Sequence, residues 1–216
     1  MYKLVMFDLD GTLLNTINDL ATATNVALSS FGYMQHELNA YKTFVGNGIY
    51  KLVERSMPSD KRNHENVLRV KAVFDEYYKL HNQDQTVPYE GIEDLLDRLN
   101  AKGIKCGVVT NKAHLYACKL IAEYFPHQIG LVLGQREGIP HKPHPQGLIE
   151  MMTYFGVTPE ECLYVGDSNV DIETAKAAGI QSIGVLWGFR GEEELIRAGA
   201  DFIVQSTEEI IDIILK

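Results

Sequence analysis

The segment Lys3-Leu4-Val5-Met6-Phe7-Asp8-Leu9-Asp10-Gly11-Thr12 decides how the rest of the chain is read. Its apolar run has strand length. It is continuous rather than alternating, which suits a strand buried on both faces of a parallel sheet. The run ends in two aspartates separated by one residue. Ligands of open parallel sheets bind at the carboxyl ends of the strands, so Asp8 and Asp10 are expected together in that crevice. Two carboxylates so close repel, and each raises the other's pKa unless a cation lies between them. A hard divalent cation with oxygen ligands, Mg²⁺ in particular, resolves the conflict. Gly11 lets the chain leave the strand in a conformation other residues resist. A loop with helix-capping aspartates would also account for these letters, so the reading depends on what converges with them.

Similar buried-strand runs recur at Ile104–Thr110, Ile129–Leu133, Cys162–Gly166, Gln181–Leu186 and Asp201–Val204. Helical patterns separate them, at Glu93–Lys102, Leu115–Tyr124, Pro145–Phe155, Val170–Ala178, Glu192–Ala198 and Glu208–Leu215. Gly103, Gly156, Gly179 and Gly199 fit C-terminal caps of those helices. Alternation of this kind predicts an α/β fold with a Rossmann-like, doubly wound parallel sheet. One stretch breaks the rhythm. Between about Asn15 and Gln85 only helical patterns occur, at Asn18–Ser30, Gly48–Arg55 and roughly Lys61–His81, with Asn18 and Asp19 as N-cap signals. The expected organisation is a core of residues 1–14 and 86–216 with an all-helical cap, 15–85, inserted after the first strand. Val87-Pro88 marks the return, because proline cannot continue a helix and biases its predecessor to extended geometry.

The chain has 216 residues, 20 Lys plus Arg, 29 Asp plus Glu, and a formal net charge of −9. That balance argues against a nucleic-acid partner, which requires clustered positive charge, and against an anionic membrane surface. It leaves a small anionic substrate possible, because a bound metal or a few cations can reverse the field locally. Cys106, Cys118 and Cys162 lack metal or redox spacing and read as reduced thiols. There is no signal-peptide pattern and no apolar stretch of membrane-spanning length, so a cytoplasmic location is expected. The sequence assigns no oligomeric state.

A second acidic pair follows a later strand in Gly166-Asp167-Ser168-Asn169-Val170-Asp171. Asp167 is placed at the strand end, and Asp171, one helical turn on, can face back toward it. Thr110 ends the run Ile104–Thr110. The next helix is expected to begin at Asn111, so the Thr110 hydroxyl and the helix-start amides can hold a phosphate. Lys142 lies in His141-Lys142-Pro143-His144-Pro145, where flanking prolines stiffen the loop that aims its ammonium. In the helical stretch, Gly46-Asn47-Gly48 precedes a helix and can offer backbone amides to an anion such as a carboxylate. Lys51 and Arg55, one turn apart beyond it, read as a solvated helix face.

These residues, in this order, resemble the haloacid dehalogenase-like phosphohydrolase superfamily over essentially the whole chain. DLDGT, Thr110, Lys142-Pro143 and GDSxxD match its four motifs. The resemblance implies a phosphatase in which Asp8 is the nucleophile, forming an aspartyl phosphate, and Asp10 is the general acid and base. It further implies Mg²⁺ held by Asp8, the Asp10 backbone carbonyl and Asp167, with Asp171 in support, and a phosphoryl group bound by Thr110 and Lys142. The cap loop at Gly46, Asn47 and Gly48 is similar to that of the phosphoglycolate phosphatase-like branch, as are the segments Gly184–Phe189 and Gly199–Phe202. Asn15 and Gln146 depart from the family pattern, where Asp and Glu are common. The implied substrate is a small phosphorylated metabolite, phosphoglycolate foremost. A pyrophosphatase, a sugar-phosphate phosphatase and a phosphosugar mutase are the alternatives within the superfamily. The mutase is disfavoured by the lack of Ser-Arg in the cap loop, and a dehalogenase by the presence of Asp10. The alternative of another class is a receiver-like phosphoacceptor module, which would be shorter and have no helical insertion.

Overall fold

Leu4–Phe7 forms strand β1, and all four side chains are fully buried. In this computed structural model, which describes residues 1–215, the chain then makes the short β2 (Leu14–Asn15) and four helices. These are α1 (Ile17–Ser30), α2 (Leu38–Phe44), α3 (Gly48–Ser56) and α4 (His64–His81). β3 (Val87–Pro88) pairs with β2 in a two-stranded sheet. An alternating series follows: α5 (Ile92–Ala101), β4 (Lys105–Ala113), α6 (His114–Tyr124), β5 (Leu131–Gln135), α7 (Gln146–Phe155) and β6 (Cys162–Gly166). It ends with α8 (Asn169–Ala178), β7 (Gln181–Val185), α9 (Glu192–Ala198), β8 (Phe202–Val204) and α10 (Thr207–Leu215). The chain divides into two units, one formed by Asn15–Val87 and the other by Met1–Leu14 with the chain from Pro88 onward.

In the α/β unit six parallel strands lie in the order β5-β4-β1-β6-β7-β8. The alternation of β1 distributes its side chains between two cores. Val5 and Phe7 pack with α5, α6 and α10 residues such as Leu95, Leu120 and Ile210. Leu4 and Met6 pack on the other face with Leu148, Met151 and Ala175 of α7 and α8. Each such side chain contributes about 1.5–3 kcal/mol of gross burial free energy. Both faces being covered is why the strand reads as a continuous apolar run. β1 lies between β4 on one side and β6 on the other, so the chain winds away from it in both directions. This is the topological switch point, where an open α/β sheet forms its ligand crevice.

The helical unit packs α1 against α4, with α2 and α3 against α1 and α4 respectively. Its buried side chains include Leu20, Leu28, Tyr41, Leu52, Val70, Phe74 and Tyr78. The seven-residue α2 has no counterpart in the sequence expectations. It is short, and Glu37 at its N-cap makes no side-chain capping bond, so no start signal marks it. Helix α1 begins at Ile17 after Thr16, one residue before the expected start. Asp19 is inside the helix rather than capping it: its carboxylate accepts hydrogen bonds from the Gln85 N–H (2.9 Å) and the Thr86 hydroxyl (2.7 Å), which anchors the returning chain.

A second departure concerns the site. The helix expected at Asn111 starts at His114, because β4 continues through Thr110-Asn111-Lys112 to Ala113. The polar letters imitate a strand end, yet all three residues are buried. The β4–β5 register shifts between Val109 and Ala113. Such an irregularity re-aims side chains and is common beside active sites.

Candidate active site

The carboxyl ends of β1, β4 and β6 supply most of the site: Asp8 and Asp10 follow β1, Lys112 lies at the end of β4, and Asp167 and Asp171 follow β6. Asp8 follows β1 directly, and its N–H donates to the Val165 carbonyl at 2.9 Å, extending the sheet pairing. Gly11 turns the chain with φ 89°, and a Cβ there would lie 2.5 Å from a carboxylate oxygen of Asp167. Gly188 approaches Asp167 so closely that a Cβ would collide with that residue's own Cβ. The two glycines therefore make the space that the Asp167 side chain fills. Trp187 closes this side by donating its indole N–H to the Thr12 carbonyl at 3.0 Å.

Asp8, Asp167 and Asp171 are brought together, with one oxygen of each within 4.8 Å of the others. Burial pushes the Asp8 carboxyl up to about 6, a shift that the Lys142 ammonium reduces and the Asp171 carboxylate reinforces. Burial, followed by repulsion from Asp171 and Asp8, holds the Asp167 carboxyl well above the usual carboxylate range. Its hydrogen-bond donors are the Phe189 N–H at 2.7 Å and the Thr12 hydroxyl at a long 3.4 Å. The donor set is all oxygen and acidic, three carboxylates against the one ammonium of Lys142. That chemistry fits a hard divalent cation.

Asp171 has different surroundings. It accepts from Lys142 Nζ at 2.6 Å, the Ser168 hydroxyl at 2.7 Å and the Ser168 N–H at 3.1 Å. Lys142 also lies 2.9 Å from Asp8 Oδ1. Burial alone would lower the Lys142 pKa, but the carboxylates of Asp171 and Asp8 more than offset it and hold the ammonium above its ordinary range. The Tyr164 hydroxyl accepts from Lys142 Nζ at 2.8 Å and donates its single proton to the Val109 carbonyl at 2.7 Å. Sequence reasoning missed Tyr164, although a tyrosine in a fully buried strand signals a hydroxyl that needs a partner.

Asn111, expected among the phosphate-binding groups at a helix start, lies instead within β4, and its side chain engages the lysine loop. Its Oδ1 accepts from the Lys142 N–H at 2.8 Å and its Nδ2 donates to the Lys142 carbonyl at 3.2 Å, bracing the lysine loop from β4. Thr110 is buried at the same strand end, where its hydroxyl oxygen accepts from the Lys112 N–H at 3.3 Å. The Asp10 carboxylate does not join the acidic triad. It pairs with Lys112, a residue the sequence did not single out, at 2.9 and 3.3 Å.

In the helical unit, Gly46-Asn47-Gly48 leads into α3 and is held from within the unit. Arg55 donates to the Phe44 carbonyl at 3.0 Å and to Asn47 Oδ1 at 2.7 Å. Arg55 is therefore not part of a solvated face, whereas exposed Lys51 pairs only locally with Glu54. Cys106 and Cys162 are buried, and all three cysteines are free. No helix among the described residues is long and apolar enough to cross a membrane.

Comparison with known proteins bears on the same residues. The family model for haloacid dehalogenase-like hydrolases matches residues 5–185. A phosphoglycolate phosphatase from Nitrosospira multiformis is 34% identical over 220 residues, covering 99% of this chain and 96% of its own. One from Pseudomonas putida is 36% identical over 198 residues, covering 87% and 70%. A crystal structure from Lactobacillus delbrueckii subsp. bulgaricus, provisionally named a phosphoglycolate phosphatase, superposes with a TM-score of 0.94 at 34% identity over 99% of this chain and 98% of its own. The strand-end carboxylates, the buried lysine and the parallel sheet thus sit in a known setting: the chain belongs to the haloacid dehalogenase-like hydrolases and is a phosphatase among them.

Proposed function

We propose that the protein hydrolyses small phosphomonoesters carrying a second anionic group, with phosphoglycolate as the leading substrate, through an aspartyl phosphate on Asp8. One observation carries this reading. The Asp8 carboxylate, directly after β1, lies 2.9 Å from the Lys142 ammonium and has an oxygen within 4.8 Å of oxygens of Asp167 and Asp171, which puts a nucleophile beside the charges a phosphoryl group needs.

Asp8 attacks phosphorus in line while the bond to the leaving oxygen breaks, and Asp10 gives that oxygen a proton. Water then attacks the phosphorus of the acyl phosphate and passes a proton to Asp10. The Asp8–phosphate bond breaks, inorganic phosphate leaves, and both carboxyl groups return to their starting states. Lys142 and Thr110 neutralise and orient the equatorial oxygens of the transferring group. Asp171, Tyr164 and Asn111 keep Lys142 in place. Asp8, the Asp10 carbonyl and Asp167, with Asp171 in support, are the residues that would hold Mg²⁺. When bound, that ion cancels charge so that a phosphate dianion can approach a carboxylate. The Gly46-Asn47-Gly48 loop, kept in shape by Arg55, is proposed to recognise the substrate's second anionic group through its amides.

The test is a panel of metabolite phosphates assayed with Mg²⁺, including phosphoglycolate, pyrophosphate and sugar phosphates. Phosphoglycolate is expected to give the highest kcat/KM. A clear preference for another ester would replace the substrate assignment and keep the chemistry. A stable phosphoprotein formed from an acyl phosphate, with no turnover of any ester, would overturn the enzymatic reading.

A further inference from the structure

Lys112 is buried to 4% exposure at the irregular end of β4, a costly position for an ammonium without a partner. Its Nζ reaches both oxygens of Asp10, at 2.9 and 3.3 Å, across 102 residues of sequence. The contact lies within the α/β unit and involves neither Lys142 nor the acidic triad. Two lysines thus serve two jobs at the same strand ends. Lys142 faces Asp8 and Asp171, whereas Lys112 faces Asp10.

We infer that Lys112 is a positioning residue for Asp10, fixing that carboxyl group where it donates a proton to the leaving oxygen and later accepts one from the attacking water. The inference deepens the reading above and rests on it. The geometry suits the task because both oxygens lie within reach of one ammonium. When Asp10 carries a proton on one oxygen, Lys112 can still donate to the other, so the group is held in either state. Without that contact the carboxyl is free to rotate away, and a proton donor misplaced by 1 Å loses much of its effect. In the first step the Asp8–phosphorus bond forms, the bond from phosphorus to the leaving oxygen breaks, and the Asp10 proton moves to that oxygen. An alkoxide needs that proton, whereas p-nitrophenolate departs as a stable anion without it.

The experiment compares the first-turnover rate of leaving-group release for phosphoglycolate and p-nitrophenyl phosphate, with Mg²⁺, in the parent, Lys112→Met and Lys112→Arg. Lys112→Met is expected to slow glycolate release about 100-fold and p-nitrophenolate release less than about fivefold, the difference expected when a general acid is misplaced. Lys112→Arg should recover most of the glycolate rate. In an Asp10→Asn background, Lys112→Met should add less than about a twofold change, as residues acting as one unit do. That double variant leaves no unpaired carboxylate, so it guards against Lys112→Met simply failing to fold. Equal slowing on both esters, or a full additive loss in the Asp10→Asn background, would overturn the positioning role while leaving the phosphatase reading intact. A parent that turns over neither ester would overturn both together.

Discussion

Two carboxylates follow β6 four residues apart, and they live in opposite surroundings. Asp171 accepts from an ammonium, a hydroxyl and a backbone amide. Asp167, equally buried, has one good amide donor, a distant hydroxyl and no ammonium in contact. The first is a finished network whose loss would leave the buried Lys142 ammonium with Asp8 as its remaining carboxylate partner. The second is an unfinished one, in which ionisation is disfavoured until something positive arrives. A motif that looks like a uniform acidic cluster in the sequence therefore divides into a group that holds Lys142 and a group proposed to take a cation.

The largest expected effect breaks the chemistry that this division serves. Asp8→Asn should lower turnover by at least about a thousandfold, as loss of a nucleophile does. Its urea unfolding midpoint should stay close to the parent's. Substantial residual turnover in steady-state assays would refute the nucleophile assignment.

The next pair of variants tests the comparison itself. Asp171→Asn should cost about 3 kcal/mol in urea unfolding, because it breaks a buried ion pair and leaves the Lys142 ammonium with Asp8 as its remaining carboxylate partner. Asp167→Asn should stay within about 1 kcal/mol of the parent, since burial already disfavours the ionised carboxyl and an amide oxygen can still accept from the Phe189 N–H. Saturation with Mg²⁺ at about a hundred times its Kd should stabilise the parent by about 2.7 kcal/mol. That increment should vanish in Asp167→Asn when followed by thermal melting. Similar losses in both variants, with the Mg²⁺ increment retained, would show that the division is not real.

The smallest effect concerns the helical unit. Replacing Gly46-Asn47-Gly48 should reduce kcat/KM for phosphoglycolate about tenfold, or about 1.4 kcal/mol, more than for a generic aryl phosphate. An equal loss on both esters would count against a role in specificity.

How much of this was legible in the sequence follows from how local each signal is. The buried run before Asp8 and the paired acids after it lie in one continuous segment, so strand, crevice and carboxylates could be read together. Lys142 was legible because prolines bracket it. Lys112 and Tyr164 were not, for two physical reasons. Lys112 lies buried within the β4–β5 register shift, and that pairing is something no local pattern reports. Tyr164 looks like one more core side chain, and only its hydroxyl, reaching Lys142 and Val109 from other elements, has a role at the site. The helix start expected at Asn111 was misplaced, because its polar letters suggested a helix start where the strand in fact continues. The sheet arrangement followed from the alternation of elements, whereas α2 was missed because a seven-residue helix with no capping bond leaves little trace.

The position of β1 also matters while the chain is being made. Leu4 pairs with Lys105 on one side and with Cys162 on the other. At ribosomal rates of about 5–20 residues per second, the second neighbour is made roughly 8–30 s after β1. Throughout that interval an entirely apolar tetrad, with one unsatisfied edge at least, waits without its sheet. The segment that delivers Asp8 is thus also the one most open to mispairing or chaperone capture during synthesis, a burden that comes from placing a helical unit between the first strand of a sheet and all its neighbours.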